Sequence, residues 1–506
     1  MNSNFMLNKD NVMSRYTLLF FMAVSFPFSA IAQQPTALEN YSLADVIKLA
    51  KDQSPDAYRA KNSFRASYWG FRTYKAAFLP SLSLNATVPN FNRSIIKYQL
   101  SDGTYSYIEE NSNSAYANMS LNQNIGLTGG NLYVSSDLMR TDQLGSDRST
   151  SYLTTPVMIG FKQPISGYNS LRWQRKIEPL KYEEAKRRYL QDMENVSIKA
   201  VNLFFSLLIA QQELEVAQIN YANTDTLYKI AKGRFNIGTI AENDLLQMEL
   251  SFLNADKALN EAKIDLEVQK YKLRSFLGFN DNVNIQLSLP DPPTVKELGF
   301  IDVKEKVGVN NPDLLLYQRQ LLESQEKVAQ ARSQRGFQAN ISASYGLTQQ
   351  APEWSNAYDR PQNQQQVTLG LQVPILDWGL GKGKVKMAQS NMELVRVNVQ
   401  QSIVDFDQQL LLQVMKYNIE DEQLYIATKA DTIAQKRYEV TKQRFLIGKI
   451  TVLDLNVAQN EKDAAKISYL NALESYWSSY YNLQAVALYD FSKNKPLDTD
   501  FDLVIK

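Results

Sequence analysis

The sequence predicts a mixed α+β membrane protein, in which barrel-type β-strands run into a long α-helical coiled coil and the whole is arranged as two structural repeats. Three observations carry this. An apolar N-terminal segment reads as an export signal, and no later run approaches the ~20 apolar residues of a membrane-spanning helix. The stretch from Val157 to Phe279 returns at Val367 to Tyr489 at a constant offset of 210, without a gap. Within each repeat the apolar period switches from two to the 4,3 spacing of a coiled coil.

The N-terminal segment has positive charges at Lys9 and Arg15, an apolar run from Leu18 to Phe28 and the small-residue site Ala30-Ile31-Ala32 before Gln33. That is the layout of a secretory signal peptide over residues 1–32. If the mature chain spans a membrane, strands must do it, because lipid-exposed backbone is satisfied only in helices or closed barrels. Composition narrows the chemistry. The chain has no Cys and no His, which removes disulfides, thiolate nucleophiles, lipidated cysteines and the commonest metal ligand. Carboxylates alone can still do acid/base work, but the Asp and Glu residues are scattered over helix surfaces and no nucleophile sits in a recognisable turn. An enzyme is therefore not expected, nor is a catalytic, cofactor-binding or metal site. A net charge of +1 supplies no basic field, so nucleic acid is not an expected partner.

The repeat divides the chain. Gly160, Pro164 and Ile165 lie over Gly370, Pro374 and Ile375, and Arg234, Phe235, Ile237, Gly238, Asp244 and Leu245 lie over Arg444, Phe445, Ile447, Gly448, Asp454 and Leu455. Pro55-Asp56 matches Pro312-Asp313 at an offset of 257, so repeat one carries 47 additional residues, which fall between Leu82 and Pro164. Repeat one spans 33–280, with strands over about 81–165 and a helical hairpin over 172–277; a linker covers 281–310. Repeat two spans 311–490, with a helix, strands over about 338–376 and a hairpin over 380–488, followed by a tail at 491–506.

Each repeat opens with helix and then changes period. Leu82, Leu84, Ala86 and Val88 alternate with polar or small residues, as do Ala339, Ile341, Ala343, Tyr345 and Leu347. Val367, Leu369, Leu371, Val373 and Ile375 alternate with Thr368, Gly370, Gln372 and Pro374. One apolar face per strand suits a sheet with lipid on one side and water on the other. Tyr98, Tyr116, Tyr152, Tyr168, Trp173, Tyr345, Trp354 and Trp378 are read as strand-end aromatics of a membrane interface. The additional residues contain the alternating runs Met119 to Ile125, Leu132 to Val134 and Val157 to Phe161, so four strands are expected where repeat two has two.

After the strands, Lys181 to Lys232 and Val385 to Ile447 contain almost no helix breakers. At ~1.5 Å per residue such helices span roughly 80 to 90 Å, more than a compact domain uses. Leu203, Leu207, Ala210, Leu214, Ala217, Tyr221, Thr224, Tyr228, Ala231 and Phe235 form an a/d seam that resumes beyond Gly238 at Leu245, Met248 and Phe252. Repeat two keeps Leu424, Ala427, Ala434, Tyr438 and Phe445 but places Glu420 and Asp431 on the seam. Each hairpin is expected to turn at its glycine.

These features together resemble the TolC-type outer-membrane efflux proteins. The resemblance rests on Ser54-Pro55-Asp56 and Asn311-Pro312-Asp313, Phe78-Leu79-Pro80-Ser81-Leu82, Val373-Pro374-Ile375-Leu376-Asp377, and the tips Arg234-Phe235-Asn236-Ile237-Gly238 and Arg444-Phe445-Leu446-Ile447-Gly448. It implies a homotrimer whose strands share one outer-membrane barrel, surrounded by lipid, and whose helices form a periplasmic tunnel. It also implies a periplasmic adaptor (membrane fusion) protein and an inner-membrane RND or ABC transporter that supplies the energy. The adaptor contacts carried over are Arg234, Ile237, Gly238 and Thr239 on one tip and Arg444, Ile447, Gly448 and Lys449 on the other. The periplasmic gate falls at Asp454, with Asp244 as its counterpart. An Asp in the first turn of a helix is also favoured by the macrodipole alone. The chain departs from the family's best-known member at Val457, Phe445 and Ile450, where that protein has a second acid, a Tyr and an Arg, and Lys449 is the candidate to replace the last. The implied activity is passive conduction, as the exit duct of a tripartite efflux system or of a type I protein secretion system. The reading from another class is an exported structural coiled coil with an adhesive sheet.

Overall fold

The computed structural model describes residues 39–505 apart from 145–147, 280–284 and 296. The expected signal peptide and part of the expected linker lie outside the described residues.

Repeat one begins with β1 (Glu39–Tyr41), α1 (Leu43–Gln53) and α2 (Pro55–Ala76). Ser42 and Asp45 cap α1 reciprocally, and Ser54 followed by Pro55 starts α2, since proline's missing amide costs nothing in the first turn. Four strands follow: β2 (Ser81–Gln99), β3 (Tyr105–Ile125), β4 (Gly130–Gln143) and β5 (Ser149–Ser166). Then come α3 (Ser170–Asn236) and α4 (Glu242–Leu277). The connection holds β6 (Ile285–Leu287), parallel to β1, and α5 (Phe300–Asn310). Repeat two comprises α6 (Pro312–Arg335), β7 (Gln338–Ala351), β8 (Gln362–Gln372), α7 (Leu380–Leu446) and α8 (Val452–Ala487). The short β9 (Tyr489–Asp490) and β10 (Lys495–Pro496) pair with each other, and α9 (Phe501–Ile505) packs against α2, where Phe501 meets the Phe64 ring.

The helix boundaries 170, 236, 242 and 277 recur at 380, 446, 452 and 487, a constant offset of 210. Each 67-residue helix is about 100 Å long. α3 starts earlier than the breaker-free stretch indicated and absorbs Pro179. It also corrects the expectation that no later stretch is apolar enough to span a bilayer. By length and composition α3 contains one, but more than half of it is buried inside the bundle, around Phe204, Phe205, Leu207 and Leu208.

The six long strands form one antiparallel meander, β2-β3-β4-β5-β7-β8. β8 stops at Gln372 rather than running on to 376, because Gln372 lies opposite Gln338, the first residue of its ladder partner β7. Tyr116 and Tyr345 fall in the middle of β3 and β7 rather than at strand ends, since both strands run several residues past the alternating runs that revealed them. The β2–β3 hairpin outgrows its neighbours. β4 reaches only as far as Ser112, and above it the pairs from Arg93↔Asn111 to Gln99↔Tyr105 continue as a two-stranded arm, braced by an ion pair between Arg93 and Glu109.

The helices form a layer one helix thick. α3 packs on α4, α8 on α3 and α7 on α8, with α4 and α7 at the two edges; nearer the sheet the order is α2-α3-α6-α7. The main core sits midway, where α1 and α5 close over the hairpins around Phe204, Phe205, Leu410, Tyr417, Leu473 and Tyr476. The connection is laced to this belt: Tyr476 and Tyr417 donate to the Val295 carbonyl, Trp477 to Asp291 O, and Asn418 both accepts from and donates to the Leu298 backbone.

Candidate functional site

Cross-strand register gives the sheet two unlike faces. Leu82 pairs with Leu121, Leu121 with Val134, Val134 with Ile159 and Ile159 with Tyr345, while Ile341 pairs with Leu369. All belong to one apolar face that no other element among the described residues covers; Leu82 is 68% and Leu369 57% exposed. The opposite face carries Ser83 against Ser120, Ser120 against Ser135, and Ser342 against Thr368. Burying the apolar face needs a solvent as apolar as lipid, and the polar face needs water. At one edge of the sheet Tyr152, Trp354 and Tyr358 stack edge to face, with ring centroids 5.9 and 5.6 Å apart.

The far ends of the helices form two matched tips. Just beyond the ends of α3 and α7 the chain turns at Gly238 with φ +72° and at Gly448 with φ +74°, left-handed values that glycine adopts without strain. The amides of Gly238 and Thr239 donate to Phe235 O and Arg234 O, and those of Gly448 and Lys449 to Phe445 O and Arg444 O, all at 2.9 Å. Ile237 is 74% and Ile447 65% exposed. Arg234 reaches across to the other tip and donates to Leu446 O at 3.1 Å. Beneath lies a small core of Leu227, Ala231, Met248, Tyr438, Phe445, Val452, Leu455 and Ala458.

The structure therefore brings the eight tip residues into one region, and it separates the two acidic candidates. Asp454 is exposed and closes a capping box: its carboxylate accepts from the Thr451 amide at 3.1 Å and hydroxyl at 2.7 Å, and the Asp454 amide returns a bond to that hydroxyl. The Thr451 bonds hold the Asp454 carboxyl below its ordinary pKa, with a lesser contribution from the Arg444 charge. Asp244 follows Ala241, which has no capping side chain, and faces a cleft of about 390 Å³ between the tips shared with Arg234 and Thr451. Phe445 is buried, Ile450 packs against the tip core, and Lys449 is exposed and forms none of the ion pairs among the described residues.

A larger groove escaped the sequence reading. About 930 Å³ lies between α4 and α8 with α3 as its floor, lined by Asn220, Asn254, Asn456, Asn460 and Asn471 among others. Asn220 donates to Asp463 at 2.6 Å and Asn456 to Ser251 at 3.1 Å. The signal was available as amide residues at helical spacing on three helices, but the apolar seams masked it.

A sheet with one lipid-type face and one watery face, continued by helices about 100 Å long, defines an outer-membrane duct. Comparison with known proteins agrees. The family "Outer membrane efflux protein" matches residues 46–279 and 305–487, and the chain belongs to it. It is thus an efflux channel protein of the outer membrane and not an enzyme. An uncharacterized protein of Haemophilus influenzae is 24% identical over 294 residues, 56% of this chain and 62% of that protein. "Toxin and drug export protein A" of Aggregatibacter actinomycetemcomitans is 20% identical over 327 residues, 60% of this chain and 68% of that protein. Among solved structures, the Campylobacter jejuni CmeC outer membrane channel matches with a TM-score of 0.64 at 16% identity, covering 91% of this chain and 88% of the other. Vibrio cholerae VceC matches with a TM-score of 0.62 at 14% identity, covering 88% and 95%. At these identities the likeness establishes the fold.

Proposed function

We propose that three copies assemble head to tail into the exit duct of a tripartite efflux system, passively conducting substrates delivered by an inner-membrane RND or ABC pump through a periplasmic adaptor. The observation that carries this reading is a pair of exposed apolar stripes on the two edge helices. On α7, Leu412, Ile419, Ile426, Ile433 and Val440 recur every seven residues and are 49 to 64% exposed, and on α4, Leu246, Leu250 and Leu253 follow the 4,3 spacing at 54 to 59%. Edges this apolar are complementary in a closed, heterologous ring, in which each α7 packs on the next copy's α4. The adaptor is assigned to the tips through Arg234, Ile237, Gly238, Thr239, Arg444, Ile447, Gly448 and Lys449. Two exposed isoleucines, flanked by arginine forks and glycine-bared backbone, offer an apolar anchor with polar contacts around it.

Asp454 and Asp244 are assigned to the periplasmic mouth. Asp454 has its carboxylate engaged by Thr451, whereas Asp244 retains a free one, so Asp244 carries more of the cation selectivity than its position in the repeat alone indicates. The outer-membrane component of a type I secretion system is the second reading, favoured by the joint mention of toxin and drug in one relative's name. Replacing Ile419 and Ile426 together with Glu tests the assembly. The expected result is monomers on native mass spectrometry and loss of drug efflux in a strain lacking its own duct. Trimers that persist in that variant overturn the ring.

A further inference from the structure

We propose that the 47 residues peculiar to repeat one widen the membrane barrel, so that three copies close it with eighteen strands rather than the twelve that two unexpanded repeats would supply. The repeat itself identifies the insertion. β7 starts at Gln338, which the 257 offset places on Ser81, the first residue of β2; β5 spans the residues that the 210 offset places under β8. β2 and β5 are therefore the counterparts of β7 and β8, and β3 and β4 are the addition. In repeat two the counterparts pair with each other directly. In repeat one they have moved apart, and the new hairpin occupies the place between them, bonded to β2 on one side and β5 on the other. It is neither a plug nor an outer flap. Its apolar residues Met119, Leu121, Leu132 and Val134 continue the lipid-type face in register, and Ser120 and Ser135 continue the watery one.

Adding strands two at a time preserves alternation of direction. With six strands, β2 and β8 end the sheet running in opposite senses, each with one unpaired ladder edge. The β8 of one copy can then pair antiparallel with the β2 of the next, which removes both edges. At ~4.8 Å between strands and ~40° of tilt, eighteen strands close at about 35 Å between opposite backbones, against about 24 Å for twelve. That is porin-like width, so the membrane barrel is not the narrow point of the duct.

This inference rests on the trimer of the preceding reading, and one experiment separates them. The chain has no native cysteine, so paired substitutions report cleanly. Ser83→Cys on β2 is combined with Gln366→Cys, Thr368→Cys or Gly370→Cys on β8, all on the watery face, and the purified outer-membrane protein is oxidised. The expected result is that at least one combination gives covalent trimers on denaturing gels, while each single substitution does not. Electron cryomicroscopy of the parent protein should count eighteen strands in one barrel. Trimers in native mass spectrometry that show twelve barrel strands and no cross-link overturn the widening and spare the trimer. The absence of a trimer overturns both.

Discussion

The two helical hairpins share every boundary at the 210 offset, yet they begin their second helices differently. α8 starts with a complete Thr451–Asp454 capping box, and α4 starts at Ala241 with no side-chain cap. The same asymmetry reaches the core beneath. Leu455 is 1% exposed, while its counterpart Leu245 is only half-buried at the margin of the same cluster. The two hairpins keep the same helix lengths of 67 and 36 residues, and what differs between them is how the second helix begins.

The largest effect that would break the likeness between tips is on transport. At Gly238 and Gly448 an added Cβ meets nothing within 4 Å, so a substitution there is opposed by backbone conformation alone. Gly238→Val with Gly448→Val should cost about 1–2 kcal/mol at each turn and reduce drug efflux to background while trimers persist. Efflux retained with trimers intact would show that the glycines only turn the chain. Next in size is Leu455→Ala, which should cost about 2–4 kcal/mol, against about 1 kcal/mol for Leu245→Ala. Thermal melts of the purified protein measure both, and equal losses would mean that the tips are energetically alike after all. Smaller again is the cap: Thr451→Ala should cost about 1 kcal/mol, and Ala241→Thr should recover part of that in α4. Because the bonds from Thr451 hold Asp454 below its ordinary pKa, their contribution is present at neutral pH and is lost as pH falls through that lowered value.

What was legible in the sequence was whatever repeats or alternates. The 210 offset located both glycine tips, and the period-two runs located the membrane sheet, including the four strands of repeat one. What was not legible depends on three-dimensional neighbours. Thr451 and Asp454 stand at the spacing of a capping box, which Ala241 and Asp244 lack, but nothing along the chain shows that the Asp244 carboxylate faces a cleft between the tips. The stripe from Leu412 to Val440 is a second heptad, offset from the seam that had already explained α7, and reading one seam per helix hid it. The end of β8 depends on its partner too: the alternation continues to Ile375, but the ladder stops at Gln372, opposite the first residue of β7.

The smallest expected effect concerns the seam itself, where Glu420 in repeat two replaces Ala210 of repeat one. Ala210 is 1% exposed and Glu420 is 6% exposed, so the carboxyl occupies a position built for a methyl group. It accepts a hydrogen bond from Ser479 at 3.2 Å, but burial outweighs that bond and the nearby Lys416 charge and raises its pKa. The folded chain therefore holds this proton to higher pH than the unfolded chain does. Its contribution to stability is fullest below the ordinary glutamate pKa of about 4.3 and declines as pH rises through the raised value. Glu420→Gln keeps the bond with Ser479 and removes the charge, so it should raise the Tm by about 1–3 °C at pH 7.5 and change it little at pH 4. Glu420→Ala, which restores the residue of repeat one, discards the bond and leaves a void, so it should gain less than Gln at pH 7.5 and lose stability at pH 4. If Gln stabilises equally at both pH values, the carboxyl is not titrating in the seam, and the buried charge is not what distinguishes the second hairpin from the first.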